Sequence, residues 1–254
     1  MEFKKIDWRL VDGVARITLN DPDNHNTVDA RFVRELAEVA ILCETEPSVK
    51  VVLLAAVGPA FSFGGDLNEF LARRENLQAH IRQMTSHFHS AVLTLNRIPA
   101  PVVAAVNGMA AGGGFSLVCM SDLAIASRSA KFNSAYTRSG LTPDGGLTHF
   151  LTRMVGPQKA FDILATNPTL SAQEAQALGI IARVVEDQDF EVEVEALLQT
   201  LLGIPSDALP RLKGLLKKSF SASLEEQFEH EAKSVSEVAA SPETLATLEG
   251  FLKR

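Results

Sequence analysis

The 254-residue chain has little cysteine, no excess of basic charge and no long apolar run, and each shortage removes a class of function. Its two cysteines, Cys43 and Cys119, sit within apolar helical patterns. Buried reduced thiols are therefore expected rather than a secreted disulfide framework. Basic residues number 24 against 31 acidic, giving a formal charge of −7. That balance opposes non-specific attraction to DNA, RNA or anionic lipid. No apolar run approaches membrane-spanning length. The opening MEFKKIDWRLVDG has no apolar signal core and no transit-peptide pattern, and the closing FLKR is not a peroxisomal or retention signal. A soluble, cytoplasmic protein with no nucleic-acid or membrane partner is the expectation.

Several catalytic signatures are missing as well. No G-x-S-x-G occurs, which removes the usual serine-hydrolase elbow. His25, His87, His89 and His149 show no paired ligand spacing, and two residues apart on a helix do not converge, so no metal is expected. No separate cofactor is expected either.

What is present is an ordinary globular composition, 46% hydrophobic and 22% charged, long enough for one large α/β domain with a helical appendage. Asp12-Gly13 between FKKIDWRL and VARITLN reads as a hairpin. Asp29 is a candidate N-cap for a helix whose apolar residues recur from Phe32 to Cys43. A second long helix carries Ile81, Met84, Phe88, Val92 and Leu95 and is closed off by Pro99 and Pro101. KVVLLAAV, PVVAAV, DLAIAS and IIARVV read as buried strands. Strands alternating with helices imply right-handed crossovers and a covered sheet. Beyond about Glu186 the pattern is wholly helical, with stripes at Leu209, Leu212, Leu216 and Phe220 and at Leu224, Phe228 and Val235 that are expected to be core. Arg211, Lys213, Lys217 and Lys218 read as a solvated basic face.

Two segments carry the chemistry: GPAFSFGGDL (Gly58 to Leu67) and AAVNGMAAGGGFSLVCMSD (Ala104 to Asp122). The second follows a strand, yet its glycines at 108, 112, 113 and 114 do not spell G-x-G-x-x-G, and no G-K-[ST] follows. Taken alone, Gly112, Gly113 and Gly114 suit close helix–strand packing. Two glycine turns at strand ends together suggest backbone N–H groups converging on one acceptor, an oxyanion hole for an activated acyl group.

These motifs, with the Asn-rich turn (Asn24, Asn26), the AFSxGxD-type turn, IPxPVVAAVNGxAxGGG, DLAIAS and GLTPDGG in that order, resemble the crotonase superfamily, the enoyl-CoA hydratase/isomerase family. The resemblance covers the chain from about Phe3 to Val185 and continues into the helical tail. It implies a crotonase-like α/β spiral of ββα units over residues 1–186 and a C-terminal α-helical region over 187–254 that mediates homotrimers, often paired into hexamers. It implies an acyl-CoA thioester substrate, coenzyme A entering only as part of it. The carbonyl would be held by the N–H groups of Gly65 and Gly113. Coenzyme and acyl contacts would come from Asn24 and Asn26, from Ala60, Phe61, Phe63, Gly64, Asp66 and Leu67, and from Met109, Gly112, Ser116, Tyr136 and Leu141. Asp66 also reads as a helix cap.

The family's two hydration glutamates would fall at Ser116 and Tyr136, neither a carboxylate, which puts hydration in doubt. Asp144 in the PDGG turn remains. Local sequence favours it as a turn residue or N-cap. The resemblance instead gives it the place of a lone acid facing the acyl pocket, as in isomerase-type members, or of the nucleophile in aroyl-CoA dehalogenases. The leading expectation is an enoyl-CoA isomerase in which Asp144 removes and returns a proton, enclosed by Phe61, Phe63, Phe70, Met109, Phe115 and Leu141. The alternatives are a hydratase, a dehalogenating or hydrolytic thioester enzyme, and a non-catalytic acyl-CoA binder.

Overall fold

The computed structural model describes residues 3–205 and 207–253; Arg254, the last residue of FLKR, lies outside them. Asp12 and Gly13 both take positive φ, 49° and 83°, the conformation a two-residue hairpin turn demands. They join β1 (Ile6–Val11) to β2 (Val14–Leu19) in antiparallel register. The Asp29 side chain accepts from the Phe32 amide and starts α1 (Ala30–Thr45).

From there each pass of the chain lays one strand in each of two sheets. A six-stranded sheet has the order β1, β2, β3 (Val51–Ala56), β5 (Val102–Val106), β7 (Leu123–Ser127) and β10 (Arg183–Val185), parallel beyond the hairpin. A smaller sheet runs β4 (Ala60–Ser62), β6 (Met109–Ala111), β8 (Lys131–Asn133) and β9 (Leu170–Ser171). Helices α2 (Leu67–Ala72) and α3 (Leu77–Arg97) follow β4, and α4 (Gly113–Met120) follows β6. The result is the spiral of ββα units that the resemblance implies.

The pleat divides the core in two. Val52 and Leu54 of β3 point toward α1 and α3, with Val102 and Ala104 beside them. Val51 and Leu53 point the other way, onto Val103, Ala105 and Ile125, and are covered by Val194, Leu197 and Leu198 of α8 (Phe190–Leu202). Both faces of the parallel sheet are thus covered, as continuous apolar strands require. Cys43 and Cys119 are buried and free, and burial pushes the Cys43 thiol up to about 11 and raises that of Cys119 too.

Helices α5 (Leu147–Val155), α6 (Pro157–Thr166) and α7 (Ala172–Ala177) close the spiral. IIARVV is a strand only from Arg183 to Val185. Ile180 and Ile181 are instead buried where α7 ends, both amides turning back to the Ala175 carbonyl.

The last layer, α9 (Ala208–Lys218), α10 (Leu224–Ala239) and α11 (Pro242–Leu252), corrects two expectations. Its apolar stripes are not core: Leu212, Leu216, Phe220, Leu224, Phe228 and Val235 are all exposed, because the sheet's helical cover is already complete at α8. Nor is all of its basic stretch a solvated face: Lys218 is exposed, but Lys213 and Lys217 turn inward. Lys213 is 6% exposed, its ammonium on Asp122 Oδ2 at 2.7 Å and on the carbonyls of Ala100 and Leu95 at the end of α3. Lys217 caps the neighbouring Asn96 carbonyl. Burial lowers both lysines, Lys217 to about 8. Among the described residues no helix is long and apolar enough to cross a membrane.

Candidate active site

The two glycine turns meet main chain to main chain. A Cβ at Gly64 would lie 2.7 Å from the Ala111 carbonyl oxygen and 3.1 Å from the Gly113 nitrogen, and Gly64 has φ +79°. Only glycine satisfies both conditions, so Gly64 is what lets the turns close on each other.

Their exposed amides follow from local pairing. Val28 donates to the Gly64 carbonyl at 2.8 Å and accepts from the Asp66 amide at 3.2 Å, forming a parallel bridge opposite Gly65. In such a bridge the central residue directs its own N–H away from the partner strand. The Gly112 amide is taken by the Asn133 carbonyl at 3.1 Å. Gly113 then opens α4, where the first N–H groups have no intrahelical acceptor and the dipole favours negative charge. Both Gly65 and Gly113 line one cavity of about 310 Å³.

Its walls are mostly apolar: Val28 and Val33 on one side, Phe63, Leu67 and Phe70 at the rim, and Ile81, Met84 and Phe88 from α3. Tyr136, Leu141 and Asp144 complete it. Phe63 is stacked on His25, ring centroids 4.6 Å apart.

Asp144 is not a helix cap. Its backbone carbonyl, not its side chain, receives the Leu147 amide and the Ser116 hydroxyl at 2.8 Å. Gly145, φ +62°, packs so closely that a Cβ would sit 2.4 Å from Phe88 and 2.9 Å from Ser116. The turn is therefore clamped by its main chain, and the carboxylate is left for another partner. That partner is His89 of α3, whose Nε2 lies 2.5 Å from Asp144 Oδ1. Tyr136 Oη stands 3.3 Å from Ser116 Oγ. Burial raises the phenol, with Asp144 adding to the effect, so Tyr136 stays a neutral hydroxyl.

Of the residues expected at the site, Phe63, Gly65, Leu67, Phe70, Gly112, Gly113, Tyr136, Leu141 and Asp144 line the cavity. The others lie elsewhere. Phe61 and Phe115 are fully buried, one on the all-buried strand β4 and one on the all-buried helix α4, and both belong to the core. Ala60 and Met109 pair with each other between β4 and β6. Ser116, also fully buried, anchors the Asp144 turn instead of meeting a ligand. Asn26 is 1% exposed and braces its turn on the Val57 and Ala60 carbonyls, while exposed Asn24 holds Asp21. Asp66 caps α2 through the Asn68 and Glu69 amides. His89 had no local signal in the sequence: it follows buried Phe88 on a helix and meets an acid 55 residues away. Among the described residues no group of three or more His, Cys, Asp or Glu side chains is arranged to hold a metal.

A carboxylate in contact with an imidazole thus shares one apolar cavity with two free backbone N–H groups, an arrangement suited to a thioester. The enoyl-CoA hydratase/isomerase family model matches residues 9–254, and the chain belongs to that family. A 4-chlorobenzoyl coenzyme A dehalogenase from Arthrobacter sp. is 33% identical over 88% of this chain and 82% of its own length. A 1,2-epoxyphenylacetyl-CoA isomerase from Escherichia coli is 31% identical over 86% of this chain and 84% of its own. The crystal structure of an enoyl-CoA hydratase from Mycobacterium smegmatis superposes with a TM-score of 0.91 at 30% identity, covering 98% of this chain and 96% of that one. The protein is a crotonase-family enzyme of CoA thioesters, with the reaction left to the side chains.

Proposed function

We propose that the protein is a hydrolytic dehalogenase of aroyl-CoA thioesters, with Asp144 as nucleophile and His89 as the base that activates water. The contact between His89 Nε2 and Asp144 Oδ1 carries this reading. A double-bond shift needs one carboxylate that takes and returns a proton, and it leaves the imidazole without a task. Displacement needs both groups.

Gly65 and Gly113 N–H hold the thioester carbonyl and draw electron density out of the ring. The Asp144 carboxylate attacks the halogen-bearing carbon, charge passes to the carbonyl oxygen, and halide leaves an aryl ester on Asp144. Water, giving its proton to His89, attacks the ester carbonyl. The aryl–oxygen bond stays with the product, which leaves as a hydroxyaroyl thioester, while one halide and one proton are released per turn. The dehalogenase relative supports the reading, as do the aromatic cavity walls.

The leading expectation from sequence, enoyl-CoA isomerisation, stands as the second reading. It is favoured by a lone carboxylate in an apolar cavity and by the isomerase relative. There His89 would only orient Asp144. Hydration has less support, because Ser116 and Tyr136 are both hydroxyls and Ser116 is engaged with the Asp144 carbonyl.

Chloride release from 4-chlorobenzoyl-CoA tests the first reading and ultraviolet loss of a 3-enoyl-CoA the second. His89→Gln separates them further. Under the first it releases one equivalent of chloride and stalls with an aryl group on Asp144, visible as added mass. Chloride-free wild-type incubations with active isomerisation would replace the first reading by the second. The exposed Leu216, Phe220 and Phe228 support homotrimers or hexamers built through the helical tail. Light scattering then gives a multiple of 27.4 kDa, and Phe228→Asp lowers it.

A further inference from the structure

His89 stands between two spaces. Its Nε2 touches Asp144, a lining residue of the acyl cavity, yet His89 itself lines a separate groove on the outer face of α3 with Arg82, Ser86, His87, Ser90 and Leu93. No residue lines both spaces. Helical geometry explains the division. Ile81, Met84, Thr85 and Phe88 fall on one side of α3 and face the cavity, while Arg82, Ser86 and Leu93 fall opposite. His89 is about 100° round the helix from Phe88, on the flank between the two faces. The imidazole is therefore the partition, one edge on the acid and the rest of its ring toward the outer groove, with its side chain 45% exposed.

The groove has a character of its own. Beside Ala79 and Leu93 it carries arginine, serine, histidine and glutamine side chains and no carboxylate, whereas the acyl cavity is walled mostly by apolar side chains. Water is at home in the first and is displaced from the second by any acyl group that fills it.

We infer that the outer groove of α3 is a back entrance to the active site, through which His89 exchanges water and protons while the acyl group and coenzyme block the cavity mouth. The inference rests on the hydrolytic reading for its use in turnover: water reaches the aryl ester past the imidazole edge, and the proton that His89 takes from it leaves to groove solvent. The accessibility itself does not rest on that reading.

Leu93 is exposed and stands one turn C-terminal to His89, and helical side chains lean toward the N-terminus, so a larger residue there covers the imidazole. The experiment follows hydrogen–deuterium exchange at the ring carbon between the two nitrogens of His89, read by mass spectrometry on the intact assembly. Phenacyl-CoA, a thioether ketone that cannot be hydrolysed or dehalogenated, fills the cavity, and carbodiimide labelling of Asp144 reports its occupancy. Protection of Asp144 with His89 exchange changed less than about twofold is the expected result. A fall of about tenfold or more at both residues overturns the back entrance.

Leu93→Trp gives the ligand-free arm: His89 exchange slows at least about fivefold while Asp144 labelling is unchanged. Unaltered His89 exchange in Leu93→Trp also overturns the inference. In turnover with 4-chlorobenzoyl-CoA, Leu93→Trp keeps the first equivalent of chloride and slows the steady rate. If the wild type releases no chloride but the exchange results hold, the hydrolytic reading fails and the entrance stands.

Discussion

Two aspartates flank the same cavity in glycine turns, and the fold uses them in opposite ways. Asp66, after Gly64 and Gly65, gives its side-chain oxygen to the first amides of α2. Asp144, before Gly145 and Gly146, gives only its carbonyl to the following helix and to Ser116, and its carboxylate meets His89. In the first turn the chemistry lies in the backbone and the side chain is structural. In the second the backbone is structural and the side chain is chemical. Both outcomes depend on where the glycine sits, since Gly64 opens the way for an amide and Gly145 lets the turn press onto Phe88.

The sharpest way to break that comparison is to neutralise each acid. Asp144→Asn is expected to lower turnover by about 10²–10⁴-fold or more, with circular dichroism unchanged. Equal activity of Asp144→Asn and wild type would put the two aspartates in the same class. Next comes Gly64→Ala, which separates the turns and misplaces the donors. Its kcat is expected to drop about 10²–10³-fold, the usual cost of one oxyanion donor. Gly145→Ala, forced to keep positive φ against Phe88, is expected to lose about 1–3 kcal/mol in denaturant unfolding. Asp66→Ala is smaller again, about 1 kcal/mol of stability from the lost cap, with kcat little changed. A loss of turnover as large as that of Asp144→Asn would show that Asp66 meets substrate.

The smallest effect concerns the far end of α3, the helix on which the second turn leans. Lys217 titrates near 8 when folded and near 10.5 when unfolded. Between those values the unfolded chain binds more protons, so stability rises with pH through this window. Lys217→Met is expected to reduce that slope in urea midpoints measured from pH 8 to 10, leaving the share of Lys213, which burial lowers too.

Much of the spiral was legible because its signals are local. Asp12-Gly13, the Asp29 cap, and the apolar runs at 51–56 and 102–106 all became the expected elements. Gly65, Gly113 and Asp144 were marked through the resemblance, and they line one cavity. What stayed hidden depends on long-range placement. Nothing near His89 announces an acid 55 residues on, and periodicity cannot tell Phe61 and Phe115, sealed in the core, from Phe63 at the rim. The helical tail failed for the complementary reason. A stripe reports that a face is apolar, and not whether the chain itself supplies the cover.

Lys213 makes that tail more than a covering. Its ammonium, drawn from α9 into the junction of Leu95, Ala100 and Asp122, fastens the foot of the helix that also bears Met84, Phe88 and His89. A helix fixed at its foot cannot roll freely, and a roll of one residue's arc would swing the imidazole off its acid. The end of the chain thereby sets the aim of a group far from it in sequence, and shortening the protein after α8 would loosen the active site without removing a residue from it.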